Sequence, residues 1–175
     1  ELGGVESGDY EAIPMQGSGT YAVESVFAST IPRDGKVMII INGAYGHRIA
    51  QMCAALGITH DSLVFPENQL PDLAKIEAAL QGGTFSDVAV VHCETTTGIM
   101  NPIESIGSLA HAAGARYIVD AMSSFGAVPI DIAGASIDYL VSSANKCIEG
   151  VPGFGFVIAR RQALLEAEGR GRSLS

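Results

Sequence analysis

Val37-Met38-Ile39-Ile40-Ile41-Asn42-Gly43-Ala44-Tyr45-Gly46-His47 decides the architecture. The run from Val37 to Ile41 has no polar face, so a strand made of it is covered on both sides, as strands of parallel sheets are. It then breaks into Asn-Gly-Ala-Tyr-Gly before helical periodicity sets in at His47. Val88-Ala89-Val90-Val91 repeats the same two-sided apolar pattern. Working outward, short apolar strands are expected at 13–16, 37–41, 62–65, 88–92, 117–120, 139–142 and 154–158. Amphipathic helices are expected between and after them at 21–29, 47–56, 73–81, 103–113 and 161–167. Alternation of this kind predicts an α/β fold, a doubly wound and mostly parallel sheet. Segment 131–138 joins two strands without room for a full crossover helix, so the regularity should lapse there. No repeat, low-complexity tract or linker interrupts the 175 residues, which suit one domain with one sizeable core.

Composition narrows the function. The chain is 47% hydrophobic and 17% charged, too apolar for a disordered segment. A net charge of −9 argues against nucleic acid or an anionic membrane as the main partner, while leaving room for a locally basic pocket. Cys53, Cys93 and Cys147 are widely spaced and odd in number, fitting neither a disulfide framework nor a metal site. They read as reduced thiols of a cytoplasmic protein. No apolar run approaches the roughly 18 residues that span a bilayer, and no signal-peptide pattern opens the chain. The chain starts without Met in polar, Gly-containing sequence and stops at Arg172-Ser173-Leu174-Ser175 without a closing element. It reads as a piece of a longer protein.

In a doubly wound sheet, ligands sit beyond the carboxyl ends of the strands. Polar and Gly-rich residues gather at five such ends: 17–20, 42–46, 94–98, 120–124 and 143–150. One shared site accounts for that better than loop composition does. Gly17-Ser18-Gly19-Thr20 leads from a strand into a helix, where small residues and free N–H groups suit an anion. An ordinary turn with an N-cap has the same composition. The loop lacks a P-loop Lys, and no dinucleotide fingerprint surrounds it. Asp120 ends the apolar strand Tyr117-Ile118-Val119. There a carboxylate caps a turn, or else faces a cation, because burying it alone is costly. A metal fits poorly, since no second carboxylate or spaced His pair accompanies it. Lys146 follows Ser142-Ser143-Ala144-Asn145 with no acid before Glu149. A lysine desolvated among small residues becomes a usable amine nucleophile, whereas an exposed loop lysine does not. An anion loop, an acid and a lysine at neighbouring strand ends match what pyridoxal phosphate requires.

Longer stretches carry a specific resemblance. Tyr117-Ile118-Val119-Asp120-Ala121-Met122-Ser123-Ser124-Phe125-Gly126 and Asp138-Tyr139-Leu140-Val141-Ser142-Ser143-Ala144-Asn145-Lys146-Cys147-Ile148-Glu149-Gly150-Val151-Pro152-Gly153-Phe154-Gly155-Phe156 resemble the class V aminotransferases of fold type I. So do Gln16-Gly17-Ser18-Gly19-Thr20, Ile31-Pro32-Arg33-Asp34-Gly35-Lys36, Asn42-Gly43-Ala44-Tyr45-Gly46, His92-Cys93-Glu94-Thr95-Thr96-Thr97-Gly98 and the tail Gly171-Arg172-Ser173-Leu174-Ser175. The likeness takes in nearly the whole chain but only about half of a family member.

The resemblance implies the large, cofactor-binding domain of a pyridoxal-phosphate enzyme, without its N-terminal segment and C-terminal small domain. It implies that Ser18, Gly19 and Thr20 hold the cofactor phosphate, with Asn145 beside it. Tyr45 stacks on one ring face and Met122 packs on the other. Thr95 reaches the phenolic side, Asp120 meets the ring nitrogen, and Lys146 bonds the cofactor's aldehyde. As catalytic residues, Lys146 shuttles the proton and Asp120 keeps the ring nitrogen protonated. The implied partners are an amine and a 2-oxo acid, 2-aminoethylphosphonate and pyruvate, handled by a homodimer with its sites at the subunit interface. Serine–pyruvate or alanine–glyoxylate exchange, or a non-catalytic fragment, are the rival readings. The arginine expected to grip the substrate's anion comes from the C-terminal region, so the fragment alone is expected to be inactive.

Overall fold

The computed structural model describes residues 8–172. The opening residues 1–7 and the tail residues Ser173, Leu174 and Ser175 of the resemblance lie outside the described residues. The chain runs β1 (Tyr10–Gln16), α1 (Gly19–Thr30), β2 (Lys36–Ile41), α2 (Ala44–Ala55), β3 (Thr59–Val64), α3 (Leu73–Gln81) and β4 (Asp87–Val91). It continues through α4 (Ile103–Ala112), β5 (Arg116–Asp120), β6 (Tyr139–Ser143), β7 (Phe154–Arg160) and α5 (Arg161–Glu166). The strands form one sheet in the order β1-β7-β6-β5-β4-β2-β3. β2 pairs in parallel with β3 and β4, β4 with β5, and β5 with β6. β7 runs antiparallel to both β6 and β1.

The mostly parallel, doubly wound sheet is therefore as the sequence predicts. One side is covered by α3, α4 and the 125–137 connection, through Ile76, Leu80, Ile103, Ile106, Phe125 and Ile132. The other is covered by α1, α2 and α5, through Val23, Val26, Phe27, Ile49, Cys53 and Ala163. β2 and β4 to β6 lie between the layers and are buried almost throughout, which is why their sequences carry no polar face.

The regularity lapses where β5 meets β6. These neighbours are parallel, yet the residues between them form turns with no helix. Ile130, Ile132, Ala135 and Ile137 fill the place a crossover helix would take. α4 closes against this connection: a Cβ on Gly107 would lie 2.0 Å from the Ala135 carbonyl oxygen, so no other residue fits there without a shift.

Two strands are longer than their apolar runs suggest. β1 starts at Tyr10 because residues 10–12 pair with 158–160 of β7, and β3 starts at Thr59 because it pairs from there with Lys36. Both are edge strands of the sheet and largely exposed, so polar residues such as Glu11, Gln16, Thr59, Asp61 and Ser62 interrupt their apolar runs. No helix among the described residues is long and apolar enough to cross a membrane. Among them no three His, Cys, Asp or Glu side chains are grouped so as to hold a metal ion.

Candidate active site

The carboxyl ends of β1, β2, β4, β5 and β6 share one edge of the sheet, and the reversed β7 begins there. Each end contributes a loop, and the loops touch. After β1, Ser18 is the N-cap of α1, its hydroxyl accepting the Tyr21 N–H at 3.2 Å. The ordinary N-cap reading of this loop is thus correct as far as it goes; the remaining N–H groups of the helix end stay available. Gly17 takes φ 133°, a conformation that L side chains rarely adopt, and its N–H donates to the Gly153 carbonyl at 3.0 Å. A Cβ on Gly19 would lie 2.5 Å from the Met122 sulfur, so glycine is what lets the loop after β5 press against the start of α1.

Asp120 ends β5 and is buried. Its Oδ1 accepts the Met122 N–H at 2.9 Å, and no cation pairs with the carboxylate among the described residues. Burial pushes it up to about 6; the Met122 N–H works against that, and the charge of Glu94 adds to it. Asp120 and Met122 line a small cavity together with Tyr45, Gly19 and Thr20. Apolar Val23, Ile49 and Met52 and the charged Arg48 complete the lining. Tyr45, Arg48, Ile49 and Met52 come from one face of α2, spaced three and four apart. The cavity measures about 30 Å³, room for little more than a water, so a flat ring enters only when Tyr45 and Met122 part. Tyr45 is 36% exposed and Met122 half-buried, so neither is locked in place.

The structure brings together Gly19, Thr20, Tyr45, Asp120 and Met122, with Ser18 adjoining. Thr95 does not line this cavity. It is exposed, and its hydroxyl is hydrogen-bonded to that of Ser123, which ties the loops after β4 and β5 together. Asn145 is exposed at the start of the turn after β6.

Lys146 departs from expectation. The small residues around it suggest a desolvated amine, yet Lys146 is exposed, in the turn after β6. Small residues allow a tight turn there; they do not cover a side chain. The turn is nevertheless fastened to the Asp120 loop: the Cys147 thiol lies 3.5 Å from the Ser123 carbonyl, and a Cβ on Gly126 would be 3.3 Å from the Cys147 carbonyl oxygen.

Glu94 is not among the site residues expected from the sequence. It is buried, and its two carboxylate oxygens accept the N–H groups of Tyr45 at 3.1 Å and Gly46 at 2.9 Å, at the start of α2. A signal for it exists: α2 opens at Gly43 with no side-chain cap of its own, so an acceptor has to come from elsewhere.

A wider groove of about 440 Å³ lies at the opposite edge of the sheet, lined by His111, Arg116, Asp138 and Arg160 among others. Its charges are spent on one another. His111 meets Asp138 at 3.0 Å, Arg160 meets Asp138 at 3.4 Å, and Arg116 meets Glu166 at 2.9 Å. Size alone does not make it the functional site.

A buried acid, an aromatic side chain and a helix N-terminus gathered around one small cavity form a set of groups suited to pyridoxal phosphate. The chain belongs to the class V aminotransferase family, whose pattern matches residues 7–171. Enzymes of this family and fold type depend on pyridoxal phosphate. The chain is 54% identical over 167 residues to the 2-aminoethylphosphonate–pyruvate transaminase of Salmonella paratyphi B, covering 95% of this chain and 46% of that protein. The chain thus spans about half the length of the curated relatives it matches. Its fold superposes on the alanine–glyoxylate aminotransferase of Nostoc sp. with a TM-score of 0.86 at 27% identity, over 98% of this chain and 45% of that one. The pyridoxamine–pyruvate aminotransferase of Mesorhizobium loti gives 0.87 at 26% identity, over 96% and 42%.

Proposed function

We propose that these residues form the cofactor-binding large domain of a pyridoxal-phosphate-dependent transaminase that takes the amino group of 2-aminoethylphosphonate and passes it to pyruvate. The products are then phosphonoacetaldehyde and alanine. The observation that carries the substrate choice is the 54% identity to transaminases of that name across 95% of the chain, twice the identity to the alanine–glyoxylate enzyme. What supports the cofactor is the buried Asp120, without an ion pair among the described residues, lining the same cavity as Tyr45.

In this reading Ser18, Gly19 and Thr20 hold the phosphate at the N-terminus of α1, with Asn145 nearby. Tyr45 and Met122 sandwich the ring, and Thr95 approaches its phenolic side. Asp120 keeps a proton on the ring nitrogen, since a carboxylate forced into an apolar site gains most from a cationic N–H. Bound pyridoxal phosphate supplies the electron sink that lets a C–H bond next to an amine ionise. The Nζ of Lys146 would anchor the cofactor covalently and, once displaced by the substrate amine, would take the proton from the substrate carbon as general base and deliver it to the cofactor's aldehyde carbon as general acid. The exposure of Lys146 supports a partner surface closing over it. Tyr21, Val151, Ile148 and Phe154 are exposed apolar residues near the same edge, which suits the interface of a cytoplasmic homodimer.

The test is a substrate comparison in the full-length protein. Alanine formation from 2-aminoethylphosphonate and pyruvate is expected to exceed transamination of glyoxylate by alanine or serine by about a hundredfold in kcat/KM. The reverse preference would move the protein to the alanine–glyoxylate or serine–pyruvate members. A protein that binds pyridoxal phosphate yet exchanges neither pair would sink the transaminase reading.

A further inference from the structure

The start of α2 has an unusual cap. Gly43 precedes it in extended conformation and offers no side chain, while Ala44 is exposed and apolar. The helix end is satisfied instead by Glu94, which arrives from the loop after β4, 48 and 49 residues away in the chain. Both of its oxygens are used, and one of the two N–H groups is that of Tyr45 itself. The approach is close enough to dictate a neighbour, since a Cβ on Gly43 would lie 2.5 Å from the Glu94 carboxyl carbon. A carboxylate in this position is also favoured by the helix dipole.

Holding the two loops together does not require Glu94. Asn42 and Asn101 already join them through a buried reciprocal pair of amide hydrogen bonds at 2.8 and 2.9 Å. Asn101 is in turn fixed to the Val91 carbonyl at 2.7 Å. What Glu94 adds is local: it fixes the backbone from which the Tyr45 ring projects, and that ring, being 36% exposed, has little packing to orient it.

We propose that Glu94 is a positioning residue of the site: its carboxylate, capping α2 from the loop after β4, aims the Tyr45 ring across the cleft from Asp120 and so sets the geometry in which a pyridine ring is held. The proposal rests on the pyridoxal-phosphate reading above. Glu94 acts on the second wall of the cleft as well, because its negative charge is among the influences that keep Asp120 a strong proton acceptor.

The experiment titrates pyridoxal phosphate into full-length apoprotein and records both affinity and the circular dichroism of the cofactor's absorption band, which reports ring orientation. Glu94→Gln replaces one acceptor with a donor facing an N–H. Gly43→Ala displaces the carboxylate without altering it. Each is expected to weaken binding about tenfold, the size of one charge-assisted hydrogen bond, and to change the dichroic band. On a Tyr45→Ala background the effect of Glu94→Gln should shrink to less than about twofold, because the ring it aims is gone. Normal affinity and an unchanged band in both variants, whatever the loss in melting temperature, would reduce Glu94 to a fold-stabilising cap and overturn the proposal. So would full additivity with Tyr45→Ala. Wild-type protein that binds no pyridoxal phosphate would remove the site reading itself, and this proposal with it.

Discussion

Asp120 stands 6% exposed at the end of the buried run Tyr117-Ile118-Val119, its carboxylate accepting one N–H of its own chain. Its rise from 3.8 to about 6 corresponds to roughly 3 kcal/mol of lost preference for the charged form. A protonated ring nitrogen placed against it restores that preference, which is why an acid in such a place keeps the proton on the ring. Asp120→Asn keeps the shape and removes the charge. In the full-length protein it should still bind pyridoxal phosphate while transamination falls about a hundredfold or more, read as kcat at saturating cofactor. Near-normal turnover would show that the ring nitrogen does not depend on this carboxylate. At this scale the sequence was half legible. Asp120 stands out because burying a lone carboxylate is costly, although a turn cap at a strand end reads the same way in the sequence, and its Oδ1 does accept the Met122 N–H. Lys146 stands out by its small neighbours, yet they signal only a tight turn, and the side chain is exposed. Glu94 and Gly43 are legible as a pair only once the chain is folded, since the hydrogen bonds that join their loops span some 50 residues.

Among the elements, the central strands are plain in the sequence because burial on both faces leaves no room for polar residues. Edges are less so. Residues 10–12 and 59–61 join their strands chiefly by backbone pairing, which places little demand on their outward side chains. The reversal of β7 is invisible for a similar reason, since apolar runs read alike in both directions. It is nonetheless what the chain between 143 and 154 allows, a span too short for a crossover helix. α4 carries the least expected constraint. Gly107 lies mid-helix, where alanine is ordinarily better by about 1 kcal/mol, yet its missing Cβ admits the Ala135 carbonyl. Gly107→Ala should therefore destabilise the fold, by about 1–3 kcal/mol after that propensity gain is overcome, seen as a lower melting temperature. A neutral or raised melting temperature would mean that the 131–138 connection yields freely.

Across the whole molecule, chemistry and charge are divided between the two edges of the sheet. At the amino ends His111 and Arg160 pair with Asp138 and Arg116 with Glu166, while the buried Asp87 carries no ion pair among the described residues and is pushed up to about 6 by burial. At the carboxyl ends Asp120 lacks a cation, and Lys146, among the described residues, has no acid beside it. Five loops converge there because all but one of the strands point the same way, so a parallel sheet gathers around one cavity residues as far apart as Gly19 and Met122. The clustering of polar residues at five predicted strand ends foretold that convergence; how close the walls stand did not follow from the sequence. The claim at the centre of this account is that the site takes pyridoxal phosphate with Lys146 as its covalent anchor. The chain has three lysines, and Lys36 is already paired with Asp61 at 2.6 Å, across the sheet from the site. Borohydride reduction of the full-length protein with pyridoxal phosphate, followed by peptide mass mapping, tests it directly. The account predicts the added mass on the peptide that contains Lys146; mass on Lys36 or Lys75 with none on Lys146 would contradict it.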